Sequence, residues 1–481
     1  MYNSISFRDP SGTLIISGDK VIRIVYESGS SDLKLFHHST KAQKLMETGK
    51  VILTKVHDRE ECNKLCLIDD IQNIIDYNRI SYVLRHEYIS FPSFPYEWSP
   101  RMLYEAATLT LYIAEYMLQD QICIKDATPY NILFKGPVPV FVDILSFEGR
   151  DANDPMWIPH AQFIRTFYLP LLVNAHFGIC LDQIFQTRHD GIESEEAYLM
   201  CGMFKRVMSP FLFDVSLPLW LSYISKNDTR FLYRNRNLRD PFQAQFILKT
   251  LFNSLKKKLQ KIKPAISQNS HWSTYMNSHS YSCEHFKIKR EFIESVLRDT
   301  SLEFVLDIGC NTGFFSEIAA RAGKRVVAID RDPAVINQVW TLAIEDHLDI
   351  LPLVVNISRP SPPIGWLNQE FPSFLERAEG RFDMVLMLAV LHHILVTDQI
   401  PLDMIIDLAA RLTKNMLIIE FVSPKDEMFV RLSRGREYLY EGLTLETFES
   451  SCRRYFYIEG YVHIEGTYRW IYSLRKRELY K

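Results

Sequence analysis

The sequence has no excess of either charge, because its 55 lysines and arginines oppose 58 aspartates and glutamates for a formal net charge of −3. The chain as a whole is therefore not expected to be attracted to nucleic acid or to an anionic membrane, although a local basic patch is compatible with this balance. Its longest uncharged run lies between Arg165 and Asp182, contains Pro170, and is shorter than the roughly 20 apolar residues that a spanning helix needs. We expect no membrane span.

Cysteine is sparse, with eight residues scattered along the chain and no pair at C-x-x-C spacing. The closest pair, Cys62 and Cys66, has no matching cysteine or histidine pair nearby, so no metal site and no disulfide framework is predicted. Scattered cysteines are typical of a reducing compartment. The first ten residues lack the charged-then-apolar pattern of a secretion signal, and we therefore expect a cytoplasmic protein.

Length and composition favour two or three globular domains. The chain has 481 residues, 47% apolar and 23% charged, and one domain typically takes about 150 residues. Between residues 226 and 263 there are eleven basic and two acidic residues, and then Pro264 and a polar stretch. A helix that ends before a proline indicates a boundary. We predict a domain over 1–263, a linker and lid over 264–285, and a second domain over 286–481.

The first predicted domain has a β-rich part over about 1–98 and a helical part over about 99–263. Apolar runs predict strands over 14–26, 51–56 and 80–89, and Ser99 and Pro100 predict the start of a long helix that reaches about Leu118. After residue 285, strand and helix patterns alternate. Such alternation predicts an α/β domain with a mostly parallel sheet.

The strongest motif lies at residues 304–332, where an apolar strand, a glycine-containing turn, a helix and a second strand follow one another. Gly309 and Gly313 allow the backbone to turn sharply and to approach a ligand closely. Asp330 ends the second strand, where an acid meets ribose hydroxyls in Rossmann-type sites. The turn reads D-x-G-x-x-x-G from Asp307 and lacks the dinucleotide fingerprint, which favours a nucleoside ligand without phosphates.

This motif resembles motif I of the class I S-adenosylmethionine-dependent methyltransferases. Residues 351–356, 382–393 and 417–420 resemble the family's third, fourth and fifth strands, and 455–464 with 468–474 its terminal antiparallel pair. The resemblance covers about 285–481 and implies a Rossmann-like, seven-stranded, mostly parallel sheet that binds S-adenosyl-L-methionine. Asn356 stands where the family usually has aspartate. The cofactor-binding residues that it implies are Asp307, Gly309, Cys310, Gly313, Asp330, Asn356 and Leu388. A Rossmann turn for another nucleotide, or an inactive domain, is the alternative.

Three side chains are candidates for contact with a methyl acceptor. His392, His393 and Glu420 are predicted at carboxyl ends of strands, where the crevice of such a sheet lies, and Glu420 is expected to be an exposed acid there. Any of them could act as a general base for a hydroxyl acceptor. The alternative for the histidine pair is a structural role. Upstream, a lid helix is predicted, with the residues Trp272, Tyr275, Tyr281 and Lys287.

A second motif lies in the first half of the chain. Asp126 and Asn131 have the D-x-x-x-x-N spacing of a kinase catalytic loop, and Asp143 follows a later apolar strand. The context resembles the catalytic half of aminoglycoside-phosphotransferase-like kinases and implies a kinase-like α+β fold. However, Ile124 stands where kinases have histidine or tyrosine, and residues 1–125 contain no glycine-rich phosphate loop. We therefore do not expect Mg-ATP to be a cofactor.

Together the two motifs resemble a bacterial family of two-domain methyltransferases related to the nodulation protein NoeA. The resemblance implies methyl transfer to an unidentified acceptor, for which we favour a small molecule or a glycan- or lipid-linked metabolite. One alternative is an RNA or protein methyltransferase that uses the basic segment 226–263 to bind an anionic partner. Another is a bifunctional kinase and methyltransferase, or a kinase-like binding module with a vestigial methyltransferase. The sequence does not indicate the oligomeric state.

Overall fold

The structure is a computed structural model that describes residues 3–5, 8–57, 80–225, 237–264, 283–299 and 301–478. Its internal contacts divide the chain into two compact units. The first comprises Met1–Tyr96, Pro100–Phe134 and Pro139–Pro264, and the second Glu97–Ser99, Lys135–Val138 and Ala265–Lys481. The predicted lid residues Trp272, Tyr275 and Tyr281 lie outside the described residues.

The first unit begins with an antiparallel sheet. Its strands are β1 (Asn3–Ile5), β2 (Gly12–Ser17), β3 (Lys20–Tyr26), β4 (Thr54–His57) and β5 (Ile80–His86). They follow the order β1-β2-β3-β5-β4. The apolar run at 14–26 was predicted as one strand, but it forms β2 and β3. The chain reverses at Gly18, which has a φ of +63°. Glycine adopts this positive φ without a steric clash because it has no Cβ.

A long apolar helix follows this sheet. It spans Pro100–Met117, close to the predicted bounds, and buries Leu103, Ala107, Leu111 and Ala114 at helical spacing. Two small antiparallel pairs come next, β6 (Ile122–Ile124) with β9 (Phe147–Gly149), and β7 (Ile132–Lys135) with β8 (Val138–Phe141). The helices of the described first unit are α1 (Glu27–His38), α2 (Thr40–Glu47), α3 (Pro100–Met117), α4 (His160–Phe163), α5 (Leu169–Phe177), α6 (Leu181–Thr187), α7 (Ser194–Met200), α8 (Met203–Arg206), α9 (Leu217–Ser225) and α10 (Pro241–Lys261).

Residues 301–478 of the second unit contain a seven-stranded sheet, which confirms the predicted Rossmann-like arrangement. Its strands are β10 (Phe304–Ile308), β11 (Arg325–Asp330), β12 (Ile350–Val354), β13 (Phe382–Met387), β14 (Thr413–Val422), β15 (Phe456–His463) and β16 (Arg469–Lys476). The order is β12-β11-β10-β13-β14-β16-β15. The first five strands in this order are parallel, and β16 runs antiparallel to both β14 and β15.

Helices connect the parallel strands. In the described part of the second unit they are α11 (Cys283–Leu297), α12 (Phe314–Arg321), α13 (Pro333–Glu345), α14 (Phe374–Ala378), α15 (Leu391–Val396), α16 (Leu402–Leu412), α17 (Glu427–Ser433) and α18 (Leu445–Arg453). Every residue of β10 is buried, which is typical of a central parallel strand that is covered on both faces. Because β10 to β13 are parallel, their carboxyl ends meet at one edge of the sheet. The polar residues that follow each strand lie close together there.

Candidate functional site

A large cavity of the second unit lies at this edge of the sheet. Its empty space is about 1320 Å³, counting the part that is open to solvent, and residues that follow β10, β11, β12 and β13 line it. Of the predicted cofactor residues, six line the cavity wall, and they are Asp307, Gly309, Cys310, Asp330, Asn356 and Leu388. A cavity of this size can accept a ligand as large as a nucleoside with a side chain.

The two glycines of the turn have different surroundings. Gly309 lines the cavity with a φ of +72°, and a Cβ there would lie 3.0 Å from Val390 Cγ2. Gly313 has a φ of +84° and precedes α12, and its Cβ would lie 2.9 Å from Val339 Cγ2 on α13. The close packing of α12 against α13 therefore requires glycine at position 313. Gly313 does not line the cavity, whereas the sequence predicts that it approaches a ligand.

Two carboxylates at the strand ends are held in place by hydrogen bonds. Asp307 is 2% exposed and accepts a hydrogen bond from Ser316 Oγ at 2.6 Å, and burial raises its pKa to about 6. Asp330 accepts from the backbone N–H groups of Asn311 at 3.1 Å and Asp332 at 3.0 Å. Burial also raises the pKa of Asp330. Each carboxylate keeps lone pairs that could accept from a ligand.

Two asparagines line the cavity with different groups available. Asn311 adopts a φ of +48°, and its buried Oδ1 has no hydrogen-bond partner among the described residues. A buried acceptor without a partner is costly, so this oxygen indicates a place for a ligand donor. Asn356 Oδ1 already accepts from the Ser358 N–H at 3.0 Å. Its amide NH₂ group is therefore the better placed to reach a ligand.

Cys310 and Leu388 form apolar parts of the cavity wall. They are 7% and 6% exposed, respectively. Burial raises the pKa of the Cys310 thiol well above its usual value, so the sulfur is protonated and uncharged at neutral pH. Phe286 of α11 and Phe314 of α12 also line the cavity, and their rings meet edge to face at 5.7 Å.

The two predicted histidines have different surroundings in the structure. His393 lines the cavity, and burial, with Arg331 and Arg469 nearby, lowers its pKa to about 4. His392 is 1% exposed and lies behind it, with ring centroids 4.3 Å apart. Burial lowers the pKa of His392 well below its usual value, and neither of its ring nitrogens has a hydrogen-bond partner among the described residues. Both imidazoles are therefore neutral near pH 7, but only His393 can meet a ligand in the cavity.

The expectation for Glu420 was wrong. Strand β14 continues to Val422, and Glu420 is completely buried inside it instead of being exposed in the crevice. Its Oε2 accepts from Lys289 Nζ at 2.7 Å, and its Oε1 lies 3.5 Å from Arg469 Nη1. Glu420 does not line the cavity, but Lys289 does. Glu420 therefore acts on the site through the lysine that it binds.

These contacts belong to a buried network of four charged side chains. Arg469, at the start of β16, also binds Asp426 through two hydrogen bonds, Nε to Oδ2 at 2.7 Å and Nη2 to Oδ1 at 2.9 Å. All four residues of the network, Lys289, Glu420, Arg469 and Asp426, have a relative exposure of 8% or less. The network carries two positive and two negative charges, so each charge has a counter-charge in a region that water does not reach.

Lys289 is the functional residue that the sequence analysis missed. The predicted lid residue Lys287 is exposed, with an Nζ–Oε1 distance of 3.9 Å to Glu291. Lys289 lies four residues before the fully buried Ile293 on α11, and therefore on the apolar face of that helix. A lysine at the helical spacing of the buried apolar residues indicates a buried ion pair, and this spacing can be seen in the sequence.

The kinase-like residues lie close together in the first unit. Asn131 Nδ2 lies 3.5 Å from the backbone oxygen of Asp126, and the Asp126 carboxylate accepts from Gln162 Nε2 at 3.3 Å. The Val142 N–H donates to the Asn131 carbonyl, which brings Asp143 to the same region. Asp143 Oδ1 accepts from Arg23 Nη1 at 2.5 Å. Asp143 is therefore already bound to a cation of the protein.

We expect the buried network to stabilise the second unit only as a complete set. Glu420→Leu should lower the free energy of unfolding by about 3–5 kcal/mol, because it removes the carboxylate that binds the buried Lys289 ammonium. The double variant Lys289→Met with Glu420→Leu should be more stable than Glu420→Leu alone. Urea denaturation followed by tryptophan fluorescence measures both.

Lys287→Met provides the matched control for this test. It removes an exposed lysine from the same helix and should change the unfolding free energy by less than about 0.5 kcal/mol. Strictly additive losses for Lys289→Met and Glu420→Leu would show that the two charges do not stabilise one another.

Comparison with known proteins agrees with this geometry. Residues 280–447 match the family model described as a methyltransferase domain. The sequence is also similar to nodulation protein NoeA of Rhizobium meliloti (strain 1021), with 26% identity over 476 residues that cover 98% of this chain and 96% of the relative.

Two solved structures show a weaker similarity. The N-methyltransferase NodS from Bradyrhizobium japonicum WM9 is 18% identical and covers 41% of this chain and 99% of its own, with a TM-score of 0.30. The bifunctional kinase-methyltransferase WbdD is 21% identical and covers 46% of this chain and 45% of its own, with a TM-score of 0.31. Scores this low do not support a conclusion about function.

Among the described residues, no helix combines the length and the apolar character that crossing a membrane requires. The family model covers the residues that build the cavity, and the similarity to NoeA extends along nearly the whole chain. The second unit therefore contains a methyltransferase domain, in a chain that resembles NoeA along nearly its whole length.

Proposed function

We propose that the cavity of the second unit binds S-adenosyl-L-methionine and presents its methyl group to a small-molecule acceptor, or to a glycan- or lipid-linked metabolite. The observation that carries this proposal is the set of polar groups at the strand ends, above all the Asp330 carboxylate and the unpartnered Asn311 oxygen. They offer acceptors for the hydroxyl and ammonium groups of such a cofactor.

Five of the cavity residues bind the cofactor in this proposal. Asp330 accepts from the ribose hydroxyls, and Asn356 donates its amide N–H to the adenine ring. Asn311 and Asp307 accept from the cationic amino-acid part, while Gly309 allows close approach of the backbone. When bound, the cofactor supplies an electrophilic methyl group on a sulfonium. The protein contributes mainly by holding the acceptor in line with that methyl group.

His393 is the residue that we propose for contact with the acceptor. It lines the cavity, and its neutral imidazole can accept a hydrogen bond from the acceptor or take up its proton. Lys289 lines the same cavity, and its pairing with Glu420 neutralises its charge locally. We propose that Lys289 positions the acceptor and that His392 supports the His393 ring from behind.

The basic segment gives little support to an RNA or protein acceptor. Lys226, Arg230, Arg234 and Arg236 lie outside the described residues, and the other seven basic residues include two that are paired. Lys258 Nζ lies 2.6 Å from Asp214 Oδ1, and Lys256 binds Glu115. These two lysines hold α10 to neighbouring elements. They are also less available to bind phosphates.

For the first unit we propose a kinase-like fold that no longer transfers phosphate. In kinases, an aspartate at the position of Asp143 holds Mg²⁺. Here Arg23 binds that carboxylate, and its side chain is only 11% exposed. The positive charge of the Arg23 guanidinium therefore neutralises the Asp143 carboxylate, as a bound metal cation would. We infer that the unit positions a substrate or regulates the methyltransferase.

Asp330→Ala should weaken S-adenosylmethionine and S-adenosylhomocysteine binding by about tenfold to a hundredfold. The reason is the loss of hydrogen bonds from the ribose to a charged acceptor, which contribute about 1.5–3 kcal/mol. Calorimetry on the full chain measures this. Asp383→Asn is the matched control, because that acid binds the Phe304 N–H near the opposite end of the sheet. Equal affinity for wild type and Asp330→Ala would remove Asp330 from the site.

His393→Ala should lower kcat by about a hundredfold once an acceptor is found, because loss of a general base or an acceptor contact typically costs 10²–10⁴-fold. Cofactor affinity should be little changed. Since the imidazole must be neutral, kcat measured at saturating cofactor should fall as pH decreases through about 4. His392→Leu is the comparison and should affect stability more than kcat. A larger kcat loss in His392→Leu would reverse the two roles.

The first unit should show no Mg²⁺-dependent phosphoryl transfer from ATP, because Asp143 is bound to Arg23. Asp126→Ala should leave S-adenosylmethionine binding unchanged, since that cavity is formed by the second unit alone. Release of labelled phosphate from γ-³²P-ATP, with and without Mg²⁺, measures the activity. Phosphoryl transfer that Asp126→Ala abolishes would instead make the protein bifunctional.

A further inference from the structure

The cavity wall contains a third carboxylate, that of Asp398, besides those of Asp307 and Asp330. Asp398 lies in the turn that follows α15 and is half-buried. In this turn the Thr397 N–H donates to the His393 carbonyl at 2.8 Å, and the Asp398 N–H lies 3.4 Å from the same oxygen. The end of α15 therefore holds the Asp398 backbone beside the cavity.

Only one of the two carboxylate oxygens of Asp398 is bound. Ser358 Oγ donates to Oδ2 at 2.8 Å, and Ser358 also lines the cavity. Among the described residues, Oδ1 accepts no hydrogen bond, and no lysine, arginine or histidine pairs with this carboxylate. A carboxylate accepts on both oxygens, so one that lines a cavity without a counter-cation is best satisfied by a ligand that donates.

Ser358 connects this acceptor to a donor. Its N–H donates to Asn356 Oδ1 at 3.0 Å, while its hydroxyl donates to Asp398. The Asn356 amide oxygen is therefore occupied, and the group that Asn356 presents to a ligand is its NH₂. Because one serine binds both side chains, the cavity wall has a hydrogen-bond donor at position 356 next to an acceptor at position 398.

Adenine matches a wall with one donor and one acceptor. Its exocyclic amino group donates, and the ring nitrogens on either side of that group accept. In the proposed binding mode Asn356 donates to the ring, so the amino group needs a different residue as its acceptor. Hypoxanthine has a carbonyl oxygen in place of the amino group, and this oxygen would meet the Asp398 carboxylate as a second acceptor.

We propose that Asp398 accepts a hydrogen bond from the amino group of the cofactor's adenine and thereby selects adenine over hypoxanthine. This role depends on the proposed S-adenosylmethionine site. Ser358 positions the carboxylate, because its hydroxyl occupies Oδ2 and leaves Oδ1 for the base. Contact of Asp398 with the methyl acceptor is less favoured, since the serine ties Asp398 to Asn356, the residue that binds the base.

Calorimetry of the full chain with S-adenosylhomocysteine and S-inosylhomocysteine tests this selection. We expect the wild type to bind the adenine compound about tenfold or more tightly than the hypoxanthine compound, because a hydrogen bond to a charged acceptor contributes at least that factor.

The variant Asp398→Asn should reduce this preference. Asparagine keeps the shape of the side chain, and its oxygen still accepts from the Ser358 hydroxyl, so its NH₂ group takes the place of Oδ1 next to the base. The amide then donates to the hypoxanthine oxygen and opposes the adenine amino group. We expect the preference for the adenine compound to fall about tenfold or more in this variant.

Thr397→Ala is the matched control, because it changes an exposed side chain in the same turn that does not line the cavity. It should keep the wild-type preference, and thermal midpoints should show that both variants are folded. An equal loss of affinity for both compounds in Asp398→Asn overturns the proposal, since the role of Asp398 is then structural. An unchanged base preference with a raised KM for the acceptor also overturns it, and assigns Asp398 to the acceptor. If the wild type binds neither compound, the proposed cofactor site itself is wrong, and the role of Asp398 is wrong with it.

Discussion

The buried ion pair between Lys289 and Glu420 is the interaction on which the cavity depends. It joins α11 to β14, and through Arg469 and Asp426 the same network reaches β16 and α17. A buried charge is tolerated only when its partners are in place, so these elements must pack correctly before any of the four charges is stable. The wall of the cavity on the α11 side is therefore fixed by electrostatics as much as by apolar packing.

The opposite wall is fixed by backbone sterics. Gly309 and Asn311 both adopt positive φ, and their amide groups lie where β10 turns into α12. The Asn311 N–H then orients the Asp330 carboxylate, so the turn after β10 positions the acid at the end of β11. The cavity combines a rigid polar edge formed by short-range contacts with a charged wall formed by contacts between residues far apart in sequence.

This difference explains how much the sequence could predict. The strand ends and the polar residues that follow them were predictable, because the motif around Asp307 and Asp330 is local and parallel strands end together. The burial of Glu420 was not, because its partner Lys289 lies 131 positions away and pairing at that distance leaves no local pattern. Gly313 was predicted to let a ligand approach, whereas the structure shows it against Val339 of α13, and a glycine before a helix looks the same in sequence in either case.

In the first unit the same limit applies. Asp126 and Asn131, which have the D-x-x-x-x-N spacing, lie close together, and the strand Ile132–Lys135 follows them. The pairing of Arg23 with Asp143 spans 120 positions and needed the fold of β3 to be known. Spacing alone therefore predicted a kinase-like cluster, whereas the pairing of Asp143 depends on Arg23, a residue that no motif contains.

The long-range pair also constrains how this protein can change over generations. Because loss of either charge leaves the other buried and loss of both is tolerated, the effect of a substitution at position 289 depends on which residue occupies position 420. A lineage that replaces one member must pass through a destabilised protein before the second change restores it. The two positions are therefore expected to covary as a unit, and the harm of a single change at either one depends on the sequence background in which it occurs.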